Sequence, residues 1–316
     1  MKILVTPTSL ASGKGEKYLA PLREVASELR MNPYGRPLSE EELIEQLQGC
    51  EGYLAGLDSV TARVMDACPN LRAISRYGAG CDRVDVQAAR ERGILVANTP
   101  GVNAQAVGEL AFGMAIALAR KLVYLDKTTK AGEWVRSTGM ELCGKNMGIL
   151  GLGAIGKVVA KCAQGFSMQV LAYDPRPQPE YCDAHNIRAV SFETLLRESD
   201  VVSLHLPLTQ QTKRMISQPQ LEWMKPGALL INASRGGIVD EDAAFSALQE
   251  GKLGGLGLDA FEHEPPEGNP LLQLDNVIAT PHTGAHTKEA VSAMAELAVR
   301  NLVQMLREGT CFCLVK

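Results

Sequence analysis

One segment constrains the fold of this chain more than any other: residues 146–159, Asn-Met-Gly-Ile-Leu-Gly-Leu-Gly-Ala-Ile-Gly-Lys-Val-Val. An apolar run leads into a turn with three glycines, and small and apolar residues follow it. This order is typical of a strand, a tight turn and the start of a helix, where a diphosphate can approach the free backbone N–H groups. The segment therefore predicts a dinucleotide site formed by Gly151, Gly153, Ala154, Ile155 and Gly156.

The residues after this turn supply the acidic side chain that such a site requires. An apolar run at 168–173 ends in Asp174, which lies 18 residues past Gly156. Its carboxylate would accept hydrogen bonds from ribose hydroxyls and repel a 2′-phosphate, so we expect NAD as the cofactor in preference to NADP. Arg176 could pair with such a phosphate, but its position between two prolines favours a solvated turn residue.

Length and composition are those of a globular enzyme. A chain of 316 residues exceeds what one hydrophobic core usually serves, so two domains are expected. The net charge of −4 gives no electrostatic reason to expect a nucleic-acid partner. No apolar run reaches membrane-spanning length and no signal peptide is recognisable, so we expect a cytoplasmic protein with no membrane partner. The eight cysteines form no C-x-x-C pair and are interpreted as reduced thiols without a metal.

The pattern of apolar segments predicts an α/β fold with two doubly wound parallel-sheet domains. About 145 residues with their own alternation of strands and helices precede the strand that leads into the glycine turn. The segment Asn98-Thr99-Pro100-Gly101 contains residues that interrupt helices and strands, so it is a candidate hinge. We therefore expect a Rossmann dinucleotide-binding domain at 99–286, inserted into a flavodoxin-like substrate domain formed by 1–98 and 287–316.

The individual elements follow from the same periodicity. Predicted strands lie at 2–6, 52–55, 71–75, 93–97, 146–150, 169–173, 189–190, 201–204, 228–232, 255–259 and 277–279. Predicted helices lie at 17–30, 39–47, 61–67, 84–92, 104–125, 157–165 and 288–307. Residues 311–315 are expected to add a strand or a lid to the first domain.

Eight motifs in order along the chain carry a resemblance to a known family. They are SRYGAGCDRVD at 75–85, ANTP at 97–100, VGE at 107–109, GILGLGAIG at 148–156, HLPLT at 205–209, NASRGGIVD at 232–240, DAFEHEP at 259–265 and PHTGA at 281–285. On these motifs the chain resembles the D-isomer-specific 2-hydroxyacid dehydrogenases. One departure is His286, where relatives more often have a small polar residue.

The chemistry of such a reaction can be matched to residues directly. Hydride transfer to a 2-keto acid creates an alkoxide, which needs a proton donor, and the substrate carboxylate needs a cation. His282 follows a strand and suits the first role, with Glu264 as the carboxylate that orients its ring. Arg235 follows another strand and could hold the carboxylate bidentately. These three residues are the predicted catalytic set, and His282 and Arg235 are also expected to contact substrate.

The resemblance implies further site residues. Backbone N–H groups of Gly78, Ala79 and Gly80 would bind the substrate carboxylate, and Asp259 would meet the nicotinamide carboxamide. The remaining residues expected to contact the cofactor are His205, Pro207, Thr212 and Ala233. The resemblance also implies a homodimer or a dimer of dimers, with residues 122–143, which include Trp134, as a plausible arm.

Within the family, the chain is most similar to the phosphoglycerate dehydrogenases of serine biosynthesis. In those enzymes the arginine that resembles Arg76 contacts the substrate phosphate. Arg136, which follows Trp134 in the expected arm, could reach the same substrate site. Their C-terminal regulatory domain is expected to be absent, because the sequence ends near residue 316.

Three alternatives stay open. The substrate could be glyoxylate or hydroxypyruvate, which need only Arg235 and the turn amides. The same fold resembles NAD-sensing corepressors, in which the dinucleotide is a regulatory ligand. A metal site of His282, His286 and Glu264 is the third, although the helical spacing fails if the helix begins after His282.

Overall fold

Two compact units make up the structure, a computed structural model that describes residues 1–11 and 15–315. The terminal unit contains Met1–Asn103 and His286–Lys316, and the central unit contains Ala104–Ala285. The central unit is thus one continuous segment between the two segments of the terminal unit. The boundaries predicted from sequence fall after residue 98 and before residue 287.

The terminal unit has a five-stranded parallel sheet in the order β2-β1-β3-β4-β5. This is the flavodoxin-like order, in which the chain reverses its direction of winding between β1 and β3. Apolar side chains of β1, β3 and β4 pack into one core, including Leu4, Tyr53 and Ile74. The elements are β1 (Lys2–Val5), α1 (Thr8–Ala11), α2 (Glu16–Val25), β2 (Glu28–Met31), α3 (Glu40–Leu47), β3 (Gly52–Ala55), α4 (Ala62–Ala67), β4 (Ala73–Arg76), α5 (Val86–Glu91), β5 (Leu95–Ala97) and α13 (Lys288–Glu308).

The predicted helix at 17–30 is wrong in its second half. α2 ends at Val25, and Glu28–Met31 forms the edge strand β2, paired with β1. All four residues of β2 are half-buried, so they show no alternation of polar and apolar positions. Glu, Leu, Arg and Met are strong helix formers, and only pairing with a distant strand overrides that preference.

The end of the chain returns to β5. Leu314 forms an antiparallel bridge with Ala97, and the N–H of Val315 donates to the carbonyl of Val96 at 2.8 Å. The segment expected to add a strand or a lid therefore contributes a single bridge at the sheet edge.

The central unit has a seven-stranded parallel sheet in the order β12-β11-β10-β9-β6-β7-β8. This is the Rossmann order, with the reversal between β6 and β9. The predicted class, two doubly wound parallel-sheet domains, is confirmed. The elements are α6 (Ala104–Ala119), α7 (Leu122–Lys130), β6 (Asn146–Leu150), α8 (Ala154–Gly165), β7 (Gln169–Tyr173), α9 (Pro179–Ala184), β8 (Ile187–Ala189), α10 (Phe192–Glu198), β9 (Val201–Leu204), α11 (Gln218–Trp223), β10 (Ala228–Asn232), α12 (Glu241–Gln249), β11 (Leu253–Leu258), a 3-10 turn (Pro270–Gln273) and β12 (Val277–Ala279).

The predicted single helix at 104–125 is two helices. α6 ends at Ala119, and Lys121 adopts a left-handed backbone with φ of 52° before α7 begins. The carbonyl of Ala119 accepts from the N–H of Met140 at 2.7 Å, and a Cβ added at Gly139 would lie 2.5 Å from that carbonyl oxygen. A segment some 20 residues later thus crosses the end of α6 and binds its last carbonyl, that of Ala119, a contact that local sequence does not encode.

Helix α6 is apolar because the central unit buries it. Its buried residues include Val107, Ala111 and Met114, and it packs against α8, β10 and β11. Among the helices of the described residues, none combines the length and the apolar character needed to cross a membrane.

Candidate active site

The three glycines after β6 differ in what surrounds them. Gly151 has φ of +98°, and a Cβ there would lie 2.6 Å from the carbonyl oxygen of His205. A Cβ at Gly156 would lie 2.2 Å from the carbonyl oxygen of Gly151. A Cβ at Gly153 would have no described atom within 4 Å. The first and third glycines therefore allow tight packing of the turn, and the second leaves open space.

That open space lies at the N-terminus of α8. Gly153 is the N-cap residue, and the first helical hydrogen bond runs from the N–H of Lys157 to its carbonyl at 3.0 Å. The backbone N–H groups before Lys157 are the ones that a helix leaves for an anion, and the helix dipole favours negative charge there. The glycine turn and the N-terminus of α8 therefore form a cradle that fits the pyrophosphate of a dinucleotide.

Asp174 follows β7 and is tied to the glycine turn. One carboxylate oxygen accepts from the N–H of Leu152 at 2.8 Å, and the other accepts from the N–H of Arg176 at 2.8 Å. The side chain of Gln178 also donates to the carbonyl of Leu152, at 3.0 Å. The predicted ribose-binding acid is thus held beside the turn that it was expected to complement, while the Arg176 side chain is exposed.

The loop after β9 carries three more predicted cofactor residues. Nε2 of His205 lies 2.8 Å from the hydroxyl of Ser203, and Nδ1 is buried without a hydrogen-bond partner among the described residues. Burial lowers the pKa of His205 to about 3, so the ring is neutral. Thr212 is buried, and its hydroxyl donates to the carbonyl of Pro207 at 2.6 Å, which closes the loop.

Ala233 and Arg235 follow β10 in a turn that Asn232 organises. The amide side chain of Asn232 donates to the carbonyl of Arg235 at 2.8 Å and accepts from the N–H and hydroxyl of Ser234. A Cβ at Gly236 would lie 1.8 Å from the carbonyl oxygen of Phe261, so only glycine lets this turn approach the loop after β11. Arg235 is partly exposed, and its guanidinium donates to the carbonyl of Ser234 at 2.8 Å.

Glu264 and His282 meet directly. Nδ1 of His282 lies 2.9 Å from Oε1 of Glu264, and both side chains are partly buried. The same oxygen accepts from the N–H of Phe261 at 3.3 Å, which fixes the carboxylate. His282 has a left-handed backbone with φ of 49°, a conformation uncommon for residues other than glycine, and its N–H donates to the carbonyl of Thr280. With Nδ1 engaged, Nε2 is the nitrogen available for proton transfer.

Asp259 anchors the loop that carries His282. It is 2% exposed, and one oxygen accepts from the hydroxyl of Thr280 and the N–H of Thr283, each at 2.7 Å. The other oxygen accepts from the N–H of Gly284 at 2.8 Å. Asp259 therefore has a structural role that the sequence did not predict, which is to hold the loop that carries His282. The expected contact of Asp259 with the nicotinamide carboxamide stays a prediction.

The remaining predicted substrate residues lie in the terminal unit. Arg76 ends β4 and is 7% exposed, and its guanidinium donates to the carbonyl of Tyr77. A Cβ at Gly78 would lie 3.1 Å from the Arg76 Nη1, so the guanidinium covers the start of the turn. Thr99 accepts from the N–H of Gly78 at 3.1 Å, and Asn98 donates to the carbonyl of Ala79 at 2.6 Å. Gly80 completes the turn, whereas Arg136 is an exposed residue of the central unit.

The metal alternative receives no support from the geometry. Among residues 1–11 and 15–315, no group of three His, Cys, Asp or Glu side chains is arranged to hold a metal ion. His286 is exposed and begins the second segment of the terminal unit, before α13 starts at Lys288. The i, i+4 spacing from His282 therefore does not lie on a helix.

Sequence reasoning missed the residues that hold the site together. Ser203, Asn232, Thr280 and Thr283 each bind a predicted site residue or its loop. Asn232 ends β10 and Thr280 directly follows β12, which is the signal that could have identified these two, whereas Ser203 lies inside β9 and Thr283 lies further along the loop after β12. Small polar side chains at such positions are too common for that signal to be specific.

Comparison with known proteins agrees with this geometry. The model of the family described as D-isomer specific 2-hydroxyacid dehydrogenase, NAD binding domain, matches residues 112–284. The chain belongs to this family. The protein is therefore an oxidoreductase that acts on CH–OH groups, and its cofactor is NAD, as the sequence predicted.

Individual relatives differ in their named substrates. A glyoxylate reductase of Thermococcus litoralis is 44% identical over 78% of this chain and 77% of its own length. A D-3-phosphoglycerate dehydrogenase of Archaeoglobus fulgidus is 42% identical over 85% of this chain, which spans 52% of that relative. The solved structure of a D-lactate dehydrogenase of Aquifex aeolicus complexed with NAD and lactic acid superposes with a TM-score of 0.84 at 30% identity, covering 97% and 96% of the two chains.

Proposed function

We propose that this dehydrogenase reduces small monoanionic 2-keto acids with NADH, with glyoxylate and hydroxypyruvate as the best candidates. The observation that carries the proposal is the 2.9 Å contact between His282 and Glu264 at the carboxyl edge of the Rossmann sheet. Similarity to the glyoxylate reductase of T. litoralis supports the choice of substrate.

His282 acts as the general acid of the reduction. Nδ1–H donates to the Glu264 carboxylate, which fixes the tautomer and the orientation of the ring. Nε2 then donates a proton to the C2 oxygen as the carbonyl becomes an alkoxide, and it accepts that proton in the reverse reaction. Bound NADH supplies the hydride that adds to C2.

Arg235 binds the substrate carboxylate. Its turn is rigid, because Asn232 holds the Arg235 carbonyl and Gly236 packs against the loop after β11. A planar guanidinium can hold a carboxylate through two parallel hydrogen bonds and polarise the adjacent keto oxygen. The backbone N–H groups of Ala79 and Gly80 are further donors for an anion, whereas the N–H of Gly78 donates to the hydroxyl of Thr99.

A second candidate is the oxidation of D-3-phosphoglycerate, the reaction of serine biosynthesis. The buried guanidinium of Arg76 beside Gly78 favours it, because a buried cation is suited to a second anionic group. Similarity to the A. fulgidus enzyme also favours it.

A substrate panel tests the proposal. NADH oxidation is followed with glyoxylate, hydroxypyruvate and 3-phosphohydroxypyruvate, in the wild type and in Arg76→Ala. Equal or higher kcat/KM on the two smaller acids supports the proposal. A preference for the phosphorylated acid that Arg76→Ala abolishes supports the second candidate. No NADH oxidation with any 2-keto acid contradicts both.

We further propose a homodimer that uses α7 and the segment after it. Leu122, Val123 and Trp134 are 50%, 49% and 83% exposed, an apolar surface that a second copy would cover. Sedimentation of the wild type and Trp134→Lys tests this, and a wild-type monomer at micromolar concentration contradicts it. The cytoplasmic location stays a prediction.

A further inference from the structure

A buried carboxylate lies at the carboxyl edge of the terminal sheet, where the winding reverses. Thr6 follows β1 and Gly56 follows β3, the two strands on either side of the reversal. Doubly wound sheets usually bind their ligands at this point. Here Asp58 occupies it and is 2% exposed.

The donors to Asp58 in this cluster are all neutral. Oδ1 accepts from the N–H of Leu38 at 2.6 Å, and Oδ2 accepts from the hydroxyl of Tyr53 at 2.7 Å and from the hydroxyl of Thr6. Tyr53 is fully buried, and desolvation followed by the Asp58 charge raises its pKa well above the ordinary value. The phenol therefore stays a neutral donor. The carboxylate is satisfied by hydrogen bonds, while its charge still acts on its surroundings.

Arg76 lies on the same face of the sheet as this cluster. In the parallel register, Leu4 pairs with Tyr53 and Ala55 pairs with Arg76. Alternation along the strands then puts the side chains of Thr6, Tyr53 and Arg76 on one face, at one edge. The Arg76 charge opposes the rise in the pKa of Tyr53, in keeping with a guanidinium within electrostatic reach of the phenol.

We propose that Asp58 is a specificity-determining residue whose buried charge lowers the positive potential around Arg76 and so favours monoanionic 2-keto acids over phosphorylated ones. The proposal rests on the proposed function of the Arg76–Gly80 turn in binding substrate. The physical reason is that a fixed negative charge in a poorly screened interior repels each further anionic group that approaches the turn. A substrate with a phosphate therefore experiences more repulsion than one with a carboxylate alone.

Asp58→Asn tests the charge with little change of shape. The amide oxygen can accept from the N–H of Leu38, and the hydroxyls of Thr6 and Tyr53 can rotate to accept from the amide nitrogen. We expect the ratio of kcat/KM for 3-phosphohydroxypyruvate to that for hydroxypyruvate to rise about three- to tenfold. An unchanged ratio in a folded, active variant overturns the proposal.

Tyr53→Phe is the matched control, because it removes one hydrogen bond to Asp58 and keeps the charge. We expect its substrate ratio to stay within about twofold of the wild type. If Tyr53→Phe raises the ratio as much as Asp58→Asn does, packing and not charge sets selectivity, and the proposal is wrong.

A measurement on the wild-type holoenzyme covers the case in which Asp58→Asn fails to fold. Glycolate and 2-phosphoglycolate are compared as inhibitors against glyoxylate. Binding of glycolate at least as tight as that of 2-phosphoglycolate supports the proposal, and tenfold tighter binding of 2-phosphoglycolate overturns it. Absence of any 2-keto acid reduction by the wild type would instead contradict the proposed function.

Discussion

The two sheets of this protein share a topology class and differ in what fills their carboxyl edges. In the central unit, the reversal between β6 and β9 carries a glycine turn, and a Cβ at Gly153 would meet no described atom within 4 Å. In the terminal unit, the reversal between β1 and β3 carries Gly56, and a Cβ there would lie 3.1 Å from the Thr6 hydroxyl and 3.2 Å from the Asp58 carboxylate. One edge is open and the other is filled.

The difference shows that a doubly wound sheet provides an edge, and side chains decide whether a ligand can use it. In the central unit, glycines keep space at a helix N-terminus and the dipole favours an anion. In the terminal unit, hydroxyls and a carboxylate fill the space, and the adjacent strand end carries Arg76 instead.

The largest expected effect is on kcat, from a residue at the carboxyl edge of the central sheet. His282→Asn should lower kcat by about two to four orders of magnitude with little change in NADH affinity, because the general acid is lost and the cradle is untouched. Steady-state kinetics and NADH fluorescence titration measure the two quantities. His263→Asn, at an exposed histidine of the neighbouring loop, is the control and should keep normal turnover. Near-normal kcat in His282→Asn would show that the acid lies elsewhere.

Two glycines of the same turn should respond in opposite ways. Gly153→Ala places a methyl group in open space, so we expect an unchanged Tm and a rise of about tenfold or more in the Kd for NADH. Gly156→Ala places its Cβ 2.2 Å from the Gly151 oxygen, so we expect a loss of about 2–4 kcal/mol in the free energy of unfolding. Urea unfolding and titration measure these effects. Unchanged NADH affinity in Gly153→Ala would mean that the open space is not the cradle.

The next largest expected effect is on how the free energy of unfolding depends on pH. Burial lowers the pKa of His205 to about 3, whereas in the unfolded chain it is about 6.5. Between these two pKa values the unfolded chain binds more protons than the folded one. The contribution of His205 to the free energy of unfolding is therefore fully present above pH 6.5 and is lost as pH falls. We expect up to about 2 kcal/mol less stability at pH 5 than at pH 7 from this group. Urea unfolding at both pH values should show a smaller difference in His205→Gln, and an equal difference would refute the assignment.

The smallest expected effect is cofactor preference. Repulsion between the Asp174 carboxylate and a 2′-phosphate should favour NADH over NADPH by about 1–2 kcal/mol, or about tenfold in Kd. Asp174→Asn should reduce this ratio while keeping an acceptor near Leu152. Equal affinity of the wild type for both cofactors would point to Arg176 as a phosphate ligand.

Sequence predicts a part of the site well when a given residue type at a given spacing serves only one known structural purpose. The glycines at 151, 153 and 156 with Asp174 indicated a dinucleotide fold, because few other structures need that spacing. Arg235, Glu264 and His282 were predicted as catalytic because each follows a predicted strand; their roles stay predictions, and the structure brings Glu264 and His282 into contact. The family motifs fixed the reaction class.

Other features depend on partners far away in the chain. β2 was predicted as helix because its residues favour helix, and its pairing with β1 is a tertiary contact. The break between α6 and α7 depends on Met140, which binds the carbonyl of Ala119. The cluster of Thr6, Tyr53 and Asp58 has no local signature, because Thr6 lies 47 residues before Tyr53 in the chain.

The sequence by itself determined the fold class, the cofactor and the reaction class, since the glycine spacing and the family motifs are local features of the chain. Tertiary structure decided where helices and strands end, and which edge of which sheet is open. The physical reason is that open space and buried charge are properties of surrounding atoms, as Gly153 and Asp58 show.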